Sequence, residues 1–462
     1  MLIIPDIKDK NYMVMGLGRS GTSAALSLQA SGAQVWAWDD DAQNRFQALG
    51  QGINVRAVLD DEWPSMTALV LNPGIPDTYP QPHISAIQAR KVGIPIVCDV
   101  NFLSCAQPQA QFIGITGTNG KSTTTALIGH LLNSAGRDCQ VGGNIGIAAL
   151  SLNPFEDQTL STFVLELSSY QLERVPDLGL DHAVLLNIAP DHLSRHGGLA
   201  GYIAAKKNIF NRLKSNGMAF VGIDDVESES ISRELKKHHP VVTFSGSRPA
   251  DIYVKDQILY ENEERIVDLT QASPLKGDHN AQNIAAAYGV ARSLGLDKNV
   301  LIKGIQTFQG LPHRLEYLGN IEGVDFVNDS KATNPEAVAK ALACYDDIYW
   351  IVGGQAKDNG LEGLEKFYTK IKHAFLIGES SSLFAGQLAD KVSYTRCETL
   401  EKATATAFDM ARKNRPDLSH KNVILLSPAC ASWDQFNSFE HRGDVFRNLF
   451  INLIQNFKRE DF

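Results

Sequence analysis

A lysine and a serine follow a glycine-rich stretch at residues 112–125, which read FIGITGTNGKSTTT. Gly117 and Gly120 suit a tight turn, and Lys121 and Ser122 lie where the pattern predicts the start of a helix. The first N–H groups of a helix have no partners within it, so they bind phosphate oxygens. In nucleotide sites of this kind the lysine reaches the outer phosphates and the hydroxyl coordinates Mg²⁺. The stretch therefore predicts a nucleotide phosphate site.

The spacing departs from the strict motif G-x-x-x-x-G-K-[ST], which requires a glycine where the chain has Ile115. An ordinary turn before a helix is the alternative interpretation. The position of the lysine–serine pair at the helix start favours the phosphate site, because the binding mechanism requires both side chains there.

Two further side chains suited to this chemistry follow predicted strands. Glu166 lies at the end of the apolar strand predicted at 162–167, and a carboxylate beside a phosphate loop is a Mg²⁺ ligand in many nucleotide enzymes. Helix capping is the alternative role for Glu166. His192 follows the strand predicted at 183–187, and the sequence leaves open whether it is a ligand or a packed or surface residue.

Two predicted helices carry polar candidates. The helix predicted at 201–213 carries Lys206 and Lys207, and its charged face predicts that both lysines are solvated. Asn280 and Asn283 lie near the start of a later helix. Residues three apart share a helix face, so the two amides are candidates to bind one polar ligand, with capping as the alternative for Asn280.

A second glycine motif, GLGRSG at residues 16–21, follows a strand predicted at 12–15. Asp39 comes directly after the next predicted strand, at 34–38. This arrangement matches the dinucleotide fingerprint G-x-G-x-x-G, in which the acid holds a ribose hydroxyl. The motif indicates a nucleotide diphosphate but not which one. The NPGI loop at 72–75 follows a third predicted strand, where open α/β sheets bind ligands.

Polar loops follow four predicted strands in the last third of the chain. Their candidate ligand-binding side chains are cationic or carry hydroxyl groups, namely Lys331, Thr333, Lys357 and Ser432. Such groups suit a small molecule that carries carboxylates. Solvated loops are the alternative, because loops at strand ends are usually polar.

The composition is that of an ordinary globular protein, with 44% hydrophobic and 21% charged residues among 462. The formal net charge of −9 argues against bulk attraction of nucleic acid. The six cysteines are scattered without a C-x-x-C pair, which predicts reduced thiols and not a disulfide frame or a zinc site. We find neither a secretory signal nor an apolar run of membrane-spanning length, so we expect a cytoplasmic protein without a membrane partner.

The alternation of strands, polar loops and helices predicts an α/β protein of three domains. We expect a Rossmann-like domain at 1–104, a phosphate-loop ATPase-type domain with a mainly parallel sheet at 105–311, and a Rossmann-like doubly wound domain at 312–462. Short runs within 252–267 predict an antiparallel meander at an edge of the second sheet. An amphipathic helix is predicted at 444–458.

Taken together, the motifs resemble one family over essentially the whole chain: the Mur ligases, ATP-dependent amide-forming enzymes of bacterial cell-wall precursor synthesis. The motifs that carry the resemblance are GLGRSG, NPGI, TGTNGKST, ELSSYQL, NIAPDHL, the AAK around Lys206, GDHNAQN, GLPHR, DSKATNP and SPACASWDQF. Within the family, GLGRSG with DSKATNP and SPACASWDQF resembles the member that adds D-glutamate.

The resemblance implies roles for individual residues. The residues implied to bind ATP are Gly117, Thr118, Asn119, Gly120, Lys121, Ser122, Thr123, Thr124, Asn280, Asn283, His313, Arg314 and Asp329. Those implied to bind the two other substrates are Gly16, Gly18, Arg19, Ser20, Asp39, Asn72, Gly74, Asn144, Lys331, Thr333, Lys357, Ser432 and Phe439. Those implied to be catalytic are Lys121, Glu166, His192 and Lys206.

The resemblance also implies two Mg²⁺ sites. Ser122 and Glu166 would hold the first ion, and His192 and Lys206 would help to hold the second. Lys206 stands where the family carries a lysine carbamylated by CO2, which turns a cation into an anionic metal ligand. This implication conflicts with the solvated lysine that the helix pattern predicts.

The implied reaction joins D-glutamate to UDP-N-acetylmuramoyl-L-alanine and consumes ATP. The implied partners are these small molecules alone, with no nucleic acid and no membrane, and we expect a monomer. Three alternatives stay open. GLGRSG by itself suits an NAD-dependent oxidoreductase, the phosphate loop suits a nucleotide-switch or transport ATPase, and a sister Mur ligase would add a different amino acid.

Overall fold

The computed structural model of the protein describes residues 1–272, 275, 279–356, 360–415 and 421–460. These residues form three sheets in two compact units. The first unit ends at Phe308 and the second begins at Gln309, except that Leu275 belongs to the second. Within the described ranges, we find no helix that is long and apolar enough to cross a membrane.

The first sheet has four parallel strands in the order β2-β1-β3-β4. Its strands are β1 (Asn11–Met15), β2 (Gln34–Trp38), β3 (Ala68–Leu71) and β4 (Ile96–Val97), and its helices are α1 (Arg19–Ala30), α2 (Ala42–Gly50), α3 (Ile84–Val92) and α4 (Leu103–Ala106). The strand order reverses between β1 and β3, so the loops that follow these two strands meet at the switch point.

The second sheet belongs to the same compact unit and has nine strands in the order β13-β12-β11-β10-β9-β8-β5-β7-β6. Its strands are β5 (Gln111–Thr116), β6 (Cys139–Gly143), β7 (Thr162–Glu166), β8 (Leu180–Leu185), β9 (Leu213–Gly222), β10 (Val241–Ser245), β11 (Ile252–Lys255), β12 (Ile258–Glu261) and β13 (Glu264–Asp268). Its helices are α5 (Lys121–Ser134), α6 (Ser169–Leu172), α7 (Leu193–His196), α8 (Leu199–Lys207), α9 (Val226–Leu235), α10 (Leu269–Ala272), α11 (His279–Ser293) and α12 (Lys298–Thr307).

Two features of this sheet bear on the site. Strand β5 pairs in parallel with β7 on one side and β8 on the other, so the loops after three adjacent strands share one edge. Strands β11, β12 and β13 pair antiparallel at the far edge, which confirms the predicted meander.

The second unit contains a six-stranded sheet in the order β14-β15-β19-β16-β17-β18, parallel except for β14. Its strands are β14 (Glu316–Ile321), β15 (Val324–Asn328), β16 (Ile348–Gly353), β17 (Ile371–Ile377), β18 (Tyr394–Glu398) and β19 (Asn422–Leu426). Its helices are α13 (Pro335–Ala343), α14 (Ser381–Leu388), α15 (Leu400–Lys413) and α16 (Phe439–Glu460). The mainly parallel sheets confirm the predicted α/β class.

The structure corrects some predicted elements. Strand β6, which no predicted element covers, ends at a glycine at 143 that lets β6 approach β7 closely: a Cβ atom there would lie 2.5 Å from the Glu166 carbonyl oxygen. The closing helix α16 begins at Phe439, five residues before the predicted start. The sequence analysis did not predict the edge strands β14 and β18.

A buried histidine makes the stability of the central sheet depend on pH. His182 on β8 is 9% exposed, and its Nε2 lies 3.0 Å from the Ser293 hydroxyl oxygen. Burial lowers the pKa of His182 to about 4, from an ordinary value of 6.5. The unfolded chain therefore binds a proton at higher pH than the folded chain, so folding stability falls as the pH drops from 6.5 towards 4.

We expect His182→Gln, which cannot titrate, to remove up to about 3 kcal/mol of this acid destabilisation. The measurement is urea unfolding of both proteins at about pH 7.5 and about pH 4.5, where the two-pH difference should shrink in the variant. Identical pH dependence in the two proteins would show that His182 is not the responsible group.

Candidate active site

The predicted phosphate loop joins β5 to α5 in the middle of the nine-stranded sheet. Gly117 and Gly120 have φ angles of +154° and +83°, which L side chains rarely adopt. A Cβ atom at Gly120 would lie 2.1 Å from Oδ1 of Asn283 on α11. Both the backbone conformation and the close approach of α11 therefore require glycine at position 120.

Two lysines converge on the carbonyl groups of this loop. Lys121 Nζ donates to the carbonyl oxygens of Gly117 and Thr118, each at 2.8 Å. Lys206 Nζ donates to the same Gly117 oxygen at 2.7 Å. Lys206 is 1% exposed, and burial together with the charge of Lys121 lowers its pKa well below the ordinary value.

The solvated lysine predicted from the helix pattern is therefore wrong for Lys206. Lys206 is directed into the sheet edge, towards the loop, and only its neighbour Lys207 reaches the surface, where it pairs with Glu234 at 2.7 Å. Both lysines lie in the last turn of α8, and nothing in local spacing distinguishes the buried one. Its contact is with Gly117, in the loop after β5 and 89 residues earlier in the chain.

Glu166 ends β7 beside the phosphate loop and is 3% exposed. Its Oε1 accepts a hydrogen bond from Asn144 Nδ2 at 2.7 Å. Its Oε2 is buried and has no hydrogen-bond partner among the described residues. A buried carboxylate oxygen without a partner is costly, so this atom is suited to a bound cation. The capping alternative is wrong, because Ser168 and Gln171 cap helix α6.

His192 lies between β8 and α7 with a left-handed φ of +51°. Its side chain is 53% exposed, and its ring centroid lies 5.4 Å from that of Tyr170. Partial burial lowers the pKa of His192, and the charges of Lys121 and Lys206 act in the same direction. Three of the four predicted catalytic side chains, Lys121, His192 and Lys206, thus lie close enough for their charges to act on His192.

The predicted amide pair lies against the phosphate loop. Asn283 Oδ1 accepts from the Thr124 hydroxyl at 3.1 Å, and Asn283 Nδ2 donates to Asn280 Oδ1 at 3.0 Å. Ser122 and Thr124 are buried, and Thr123 is partly buried. The helix face predicted from the three-residue spacing therefore faces the start of α5.

At the first sheet, the GLGRSG and NPGI loops meet as the strand order requires. A Cβ atom at Gly16 would lie 2.6 Å from the Asn72 Cβ, and Gly74 N–H donates to Asn72 Oδ1 at 3.0 Å. Asp39 Oδ2 accepts from Leu17 N–H at 2.6 Å, so Asp39 holds the glycine loop against the end of β2. Gly18 and Ser20 lie at the N-terminus of α1.

Contacts join these loops to the central sheet within the first unit. Arg19 Nη1 donates to the Gly146 carbonyl oxygen at 3.0 Å, two residues after Asn144. Arg195 Nη1 donates to the Gly74 carbonyl oxygen at 2.9 Å. The GLGRSG and NPGI loops of the first sheet therefore bond to loops that flank the predicted phosphate site.

A third contact was not predicted from the sequence. Arg174, just after α6, is 1% exposed and donates to the carbonyl oxygens of Asn72 and Ile75 at 3.1 and 2.8 Å. It also pairs with Asp77 Oδ1 at 2.6 Å, while Arg90 pairs with the other oxygen of Asp77 at 2.9 Å. No motif includes Arg174, so only the fold reveals this contact.

In the second unit, predicted residues line the carboxyl edge of the sheet. Asp329 is 7% exposed, accepts from the Ser427 hydroxyl at 2.8 Å, and has its pKa raised to about 7 by burial. His313 Nδ1 lies 3.1 Å from Asn328 Nδ2. Lys331 Nζ lies 4.7 Å from the centre of the Phe439 ring.

The remaining predicted residues of this unit are placed as follows. Arg314 follows His313, Thr333 N–H donates to the Lys331 carbonyl oxygen at 2.9 Å, and Ser432 is 2% exposed. Lys357 lies outside the described residues.

A buried arginine connects two of these loops. Arg442 on α16 is fully buried and donates from Nε to the Ser330 hydroxyl at 2.9 Å. Its Nη2 donates to the carbonyl oxygens of Ser330 and Cys430 at 2.8 and 3.1 Å. The sequence analysis missed Arg442, because a basic residue near the start of an amphipathic helix usually faces water.

The fold and the site define a phosphate-loop α/β protein, with a buried carboxylate and a buried lysine beside the loop. Family models match two parts of the chain: the Mur ligase middle domain at residues 115–291, and the Mur ligase glutamate ligase domain at residues 313–430.

Curated relatives match over nearly the full length. The chain is 47% identical over 452 residues to the UDP-N-acetylmuramoylalanine–D-glutamate ligase of Paramagnetospirillum magneticum, covering 97% of this chain and 98% of that protein. It is 46% identical to the ligase of the same name from Rhodospirillum rubrum, covering 95% and 94%. The chain belongs to the Mur ligase family and is an ATP-dependent ligase, which confirms the resemblance drawn from the motifs.

The fold is also similar to a solved Mur ligase structure. The UDP-N-acetylmuramate–alanine ligase of Thermotoga maritima superposes with a TM-score of 0.59 at 17% identity, covering 97% of this chain and 99% of that one. At this identity the similarity supports the architecture alone.

The Arg174 contact generates a stability prediction. We expect Arg174→Met to lower the free energy of unfolding by about 3 kcal/mol, because it removes one partner of a buried ion pair. Arg90→Met is the matched control: it breaks an ion pair to the same Asp77 from a side chain that is 44% exposed. Such a pair is worth about 1 kcal/mol or less. Urea unfolding measures both variants, and equal losses would contradict the special role of Arg174.

Proposed function

We propose that this enzyme adds D-glutamate to UDP-N-acetylmuramoyl-L-alanine in peptidoglycan precursor synthesis, by way of an acyl phosphate, and releases ADP and phosphate. The proposal depends on one observation: Lys121, Lys206 and Glu166 lie beside the phosphate loop at one edge of the sheet. Among the described residues, one carboxylate oxygen of Glu166 has no hydrogen-bond partner. Relatives that bear the name of this activity are 47% and 46% identical to the chain.

The chemistry explains why a ligase needs a phosphate loop. A carboxylate resists attack by an amine, because it is negatively charged and oxide is a poor leaving group. Transfer of the ATP γ-phosphoryl group to the carboxylate makes phosphate the leaving group. The amine of D-glutamate then attacks the acyl carbon, loses a proton and expels phosphate. Phosphoryl transfer needs mainly alignment and charge neutralisation, which Lys121 and the N-terminus of α5 are suited to supply.

Mg²⁺ fits the residues around Glu166. In the part of the chain that the structure describes, no group of three or more histidine, cysteine, aspartate and glutamate side chains forms a ready metal cage. A site here would therefore use Glu166 Oε2 and the Ser122 hydroxyl, with ATP oxygens completing the ligand set. A bound Mg²⁺ neutralises charge on the phosphates. A second ion would be held by His192 and by carbamylated Lys206.

Carbamylation suits the environment of Lys206. The Nζ lone pair would attack CO2, forming one N–C bond and releasing one proton, which leaves an anionic carbamate. A buried lysine favours its neutral amine, and the neutral amine is the form that can attack. The carbamate would also remove the repulsion between the ammonium groups of Lys206 and Lys121, which both donate to the Gly117 carbonyl oxygen.

The resemblance to the Mur ligases supports a proposed set of residues for each of the other ligands. Asn280, Asn283, His313, Arg314 and Asp329 would bind the nucleotide. Lys357, Thr333, Ser432 and Phe439 would hold D-glutamate, with Lys331 nearby. The lysine and the two hydroxyls would bind its carboxylates, since such groups form charge-assisted bonds with them. The GLGRSG and NPGI loops and Asn144 would bind the UDP-muramoyl substrate.

The deciding experiment incubates the enzyme with ATP, Mg²⁺, UDP-N-acetylmuramoyl-L-alanine and a panel of amino acids, each tested alone. We expect phosphate release and a new amide product, identified by mass, with D-glutamate and with no other member of the panel. Lys121→Ala is the matched control and should release no phosphate. Turnover with a different amino acid would identify a sister ligase, and turnover without an acceptor would indicate an ATPase.

Lys206 can be tested separately. We expect Lys206→Ala to lose about 100-fold or more in kcat, because the anionic ligand of the second metal ion is removed. Added formate or acetate should restore part of the rate by replacing the carbamate. Lys207→Ala, one residue away at the surface, is the control and should retain its rate. An unassisted Lys206→Ala enzyme of full activity would exclude Lys206 from the metal site.

A further inference from the structure

A chain of hydrogen bonds runs through the side chains of Asp224, Gln282 and Asn187 to the backbone of the phosphate loop, and none of these three side chains is among the proposed ligands. Gln282 Nε2 donates to Asp224 Oδ2 at 2.7 Å. Asn187 Nδ2 donates to Gln282 Oε1 at 2.7 Å. Asn187 Oδ1 in turn accepts from Asn119 N–H at 2.9 Å, and Asn187 Nδ2 also donates to the Asn119 carbonyl oxygen at 3.2 Å.

The order of donors and acceptors in this chain is set at both ends. Asp224 can only accept when ionised, so the amide nitrogen of Gln282 must face it and the amide oxygen must face Asn187. At the other end, Asn187 must match one backbone N–H and one carbonyl group of Asn119. A glutamine at position 282 satisfies both requirements at once, since it donates at one end and accepts at the other.

Asp224 is itself fixed in place. Its Oδ1 accepts from the hydroxyls of Ser245 and Ser247, and its Oδ2 accepts from Gly246 N–H at 2.9 Å. Gln282 is 8% exposed, and its backbone approaches closely: a Cβ atom at Gly246 would lie 2.7 Å from Gln282 N. The series of hydrogen bonds therefore connects the ends of β9 and β10, where Asp224 is held, to the loop after β5.

Gln282 also lies between the two amides proposed to bind the nucleotide. Asn280 and Asn283 flank it on α11, and Asn283 contacts the phosphate loop through Thr124. The side chain of Gln282 thus fixes the position of α11 relative to the peptide of Asn119. A loss of this bond would remove one of the contacts that hold the phosphate loop against α11, beside the bond between Asn283 and Thr124.

We propose that Gln282 is a positioning residue for nucleotide binding, which holds the phosphate loop and helix α11 in register through Asn187 and Asp224. The inference rests on the proposed function for its readout, ATP binding. Gln282 touches neither ATP nor the reacting atoms in this role, and it acts through Asn119 and through the neighbouring amides.

The test uses Gln282→Met, which keeps the side-chain length but makes no hydrogen bonds. We expect the ATP KM to rise about tenfold, the order expected for the loss of one hydrogen bond to a charged acceptor. The KM for the UDP-muramoyl substrate should stay unchanged. Gln88→Met is the matched control, because Gln88 also donates to an aspartate, Asp60 at 3.4 Å, on the first sheet. An unchanged ATP KM in Gln282→Met would overturn the inference.

A suppressor provides a second, independent measurement. Gln282→Glu places two carboxylates 2.7 Å apart, so ATP binding should weaken. Adding Asp224→Asn removes the repulsion and supplies a donor towards the new carboxylate at position 282, whose other oxygen still accepts from Asn187. Because the new amide nitrogen cannot accept from Gly246 N–H, the double variant should restore part of the affinity. Asp224→Asn alone should weaken ATP binding less than Gln282→Glu, because its oxygen can still accept from Gln282 and its nitrogen can donate to the Ser247 hydroxyl. Its cost is the bond from the Ser245 hydroxyl, whose oxygen already accepts from two backbone N–H groups. Failure of the suppressor to restore affinity would also overturn the inference.

Direct calorimetry of ATP binding separates the two levels of proposal. If the wild type binds ATP and forms the amide while Gln282→Met matches it in affinity, the positioning role alone fails. If the wild type neither binds ATP nor releases phosphate, the proposed function fails and takes this role with it. A general loss of structure would instead raise both KM values together and lower the unfolding midpoint, which would count against a positioning role.

Discussion

The organisation of the site depends on the convergence of two lysine amines on one backbone carbonyl. Lys121 and Lys206 both donate to the Gly117 oxygen, at 2.8 and 2.7 Å, and Lys206 does so from full burial. Two ammonium groups so close to each other repel in a poorly hydrated site, so burial and repulsion together favour a neutral Lys206. This lysine is therefore chemically unlike a surface lysine. Near it, Glu166 Oε2 is buried without a hydrogen-bond partner among the described residues, so this oxygen is suited to bind a cation.

Sheet topology explains why these groups meet. Strand β5 is flanked by β7 and β8, so the loop with Lys121, the end of β7 with Glu166 and the segment with His192 all leave the same edge. The first sheet is joined to that edge by Arg19, Arg174 and Arg195. Each arginine donates to a backbone carbonyl of the opposite partner. Such contacts depend on backbone position, so they hold loops in place without restricting the loop side chains.

In the second unit, a single arginine donates to the backbone of two loops. Arg442 binds the backbone of the loops after β15 and β19, and these loops carry Lys331, Thr333 and Ser432. Burial lowers the pKa of Arg442 to about 10, well above neutral pH, so the guanidinium stays charged. In both units the candidate site residues lie on polar loops, and a buried arginine, Arg174 or Arg442, donates to the backbone of such loops.

Local patterns in the sequence determined most of the strands, the glycine turns at 16–21 and 117–120 and the helix start at Lys121, because each depends on neighbouring residues alone. They did not determine the edge strands β14 and β18. They also determined the shared face of Asn280 and Asn283 and, through the motifs, the family. Burial of Lys206, the contacts of Arg174 and Arg442, and the chain from Asp224 to Asn119 depended on the tertiary structure. Each of these joins residues far apart in the chain, so hydropathy and spacing assign the charged or polar side chain to water. Only strand order brings the partner close enough to replace that water.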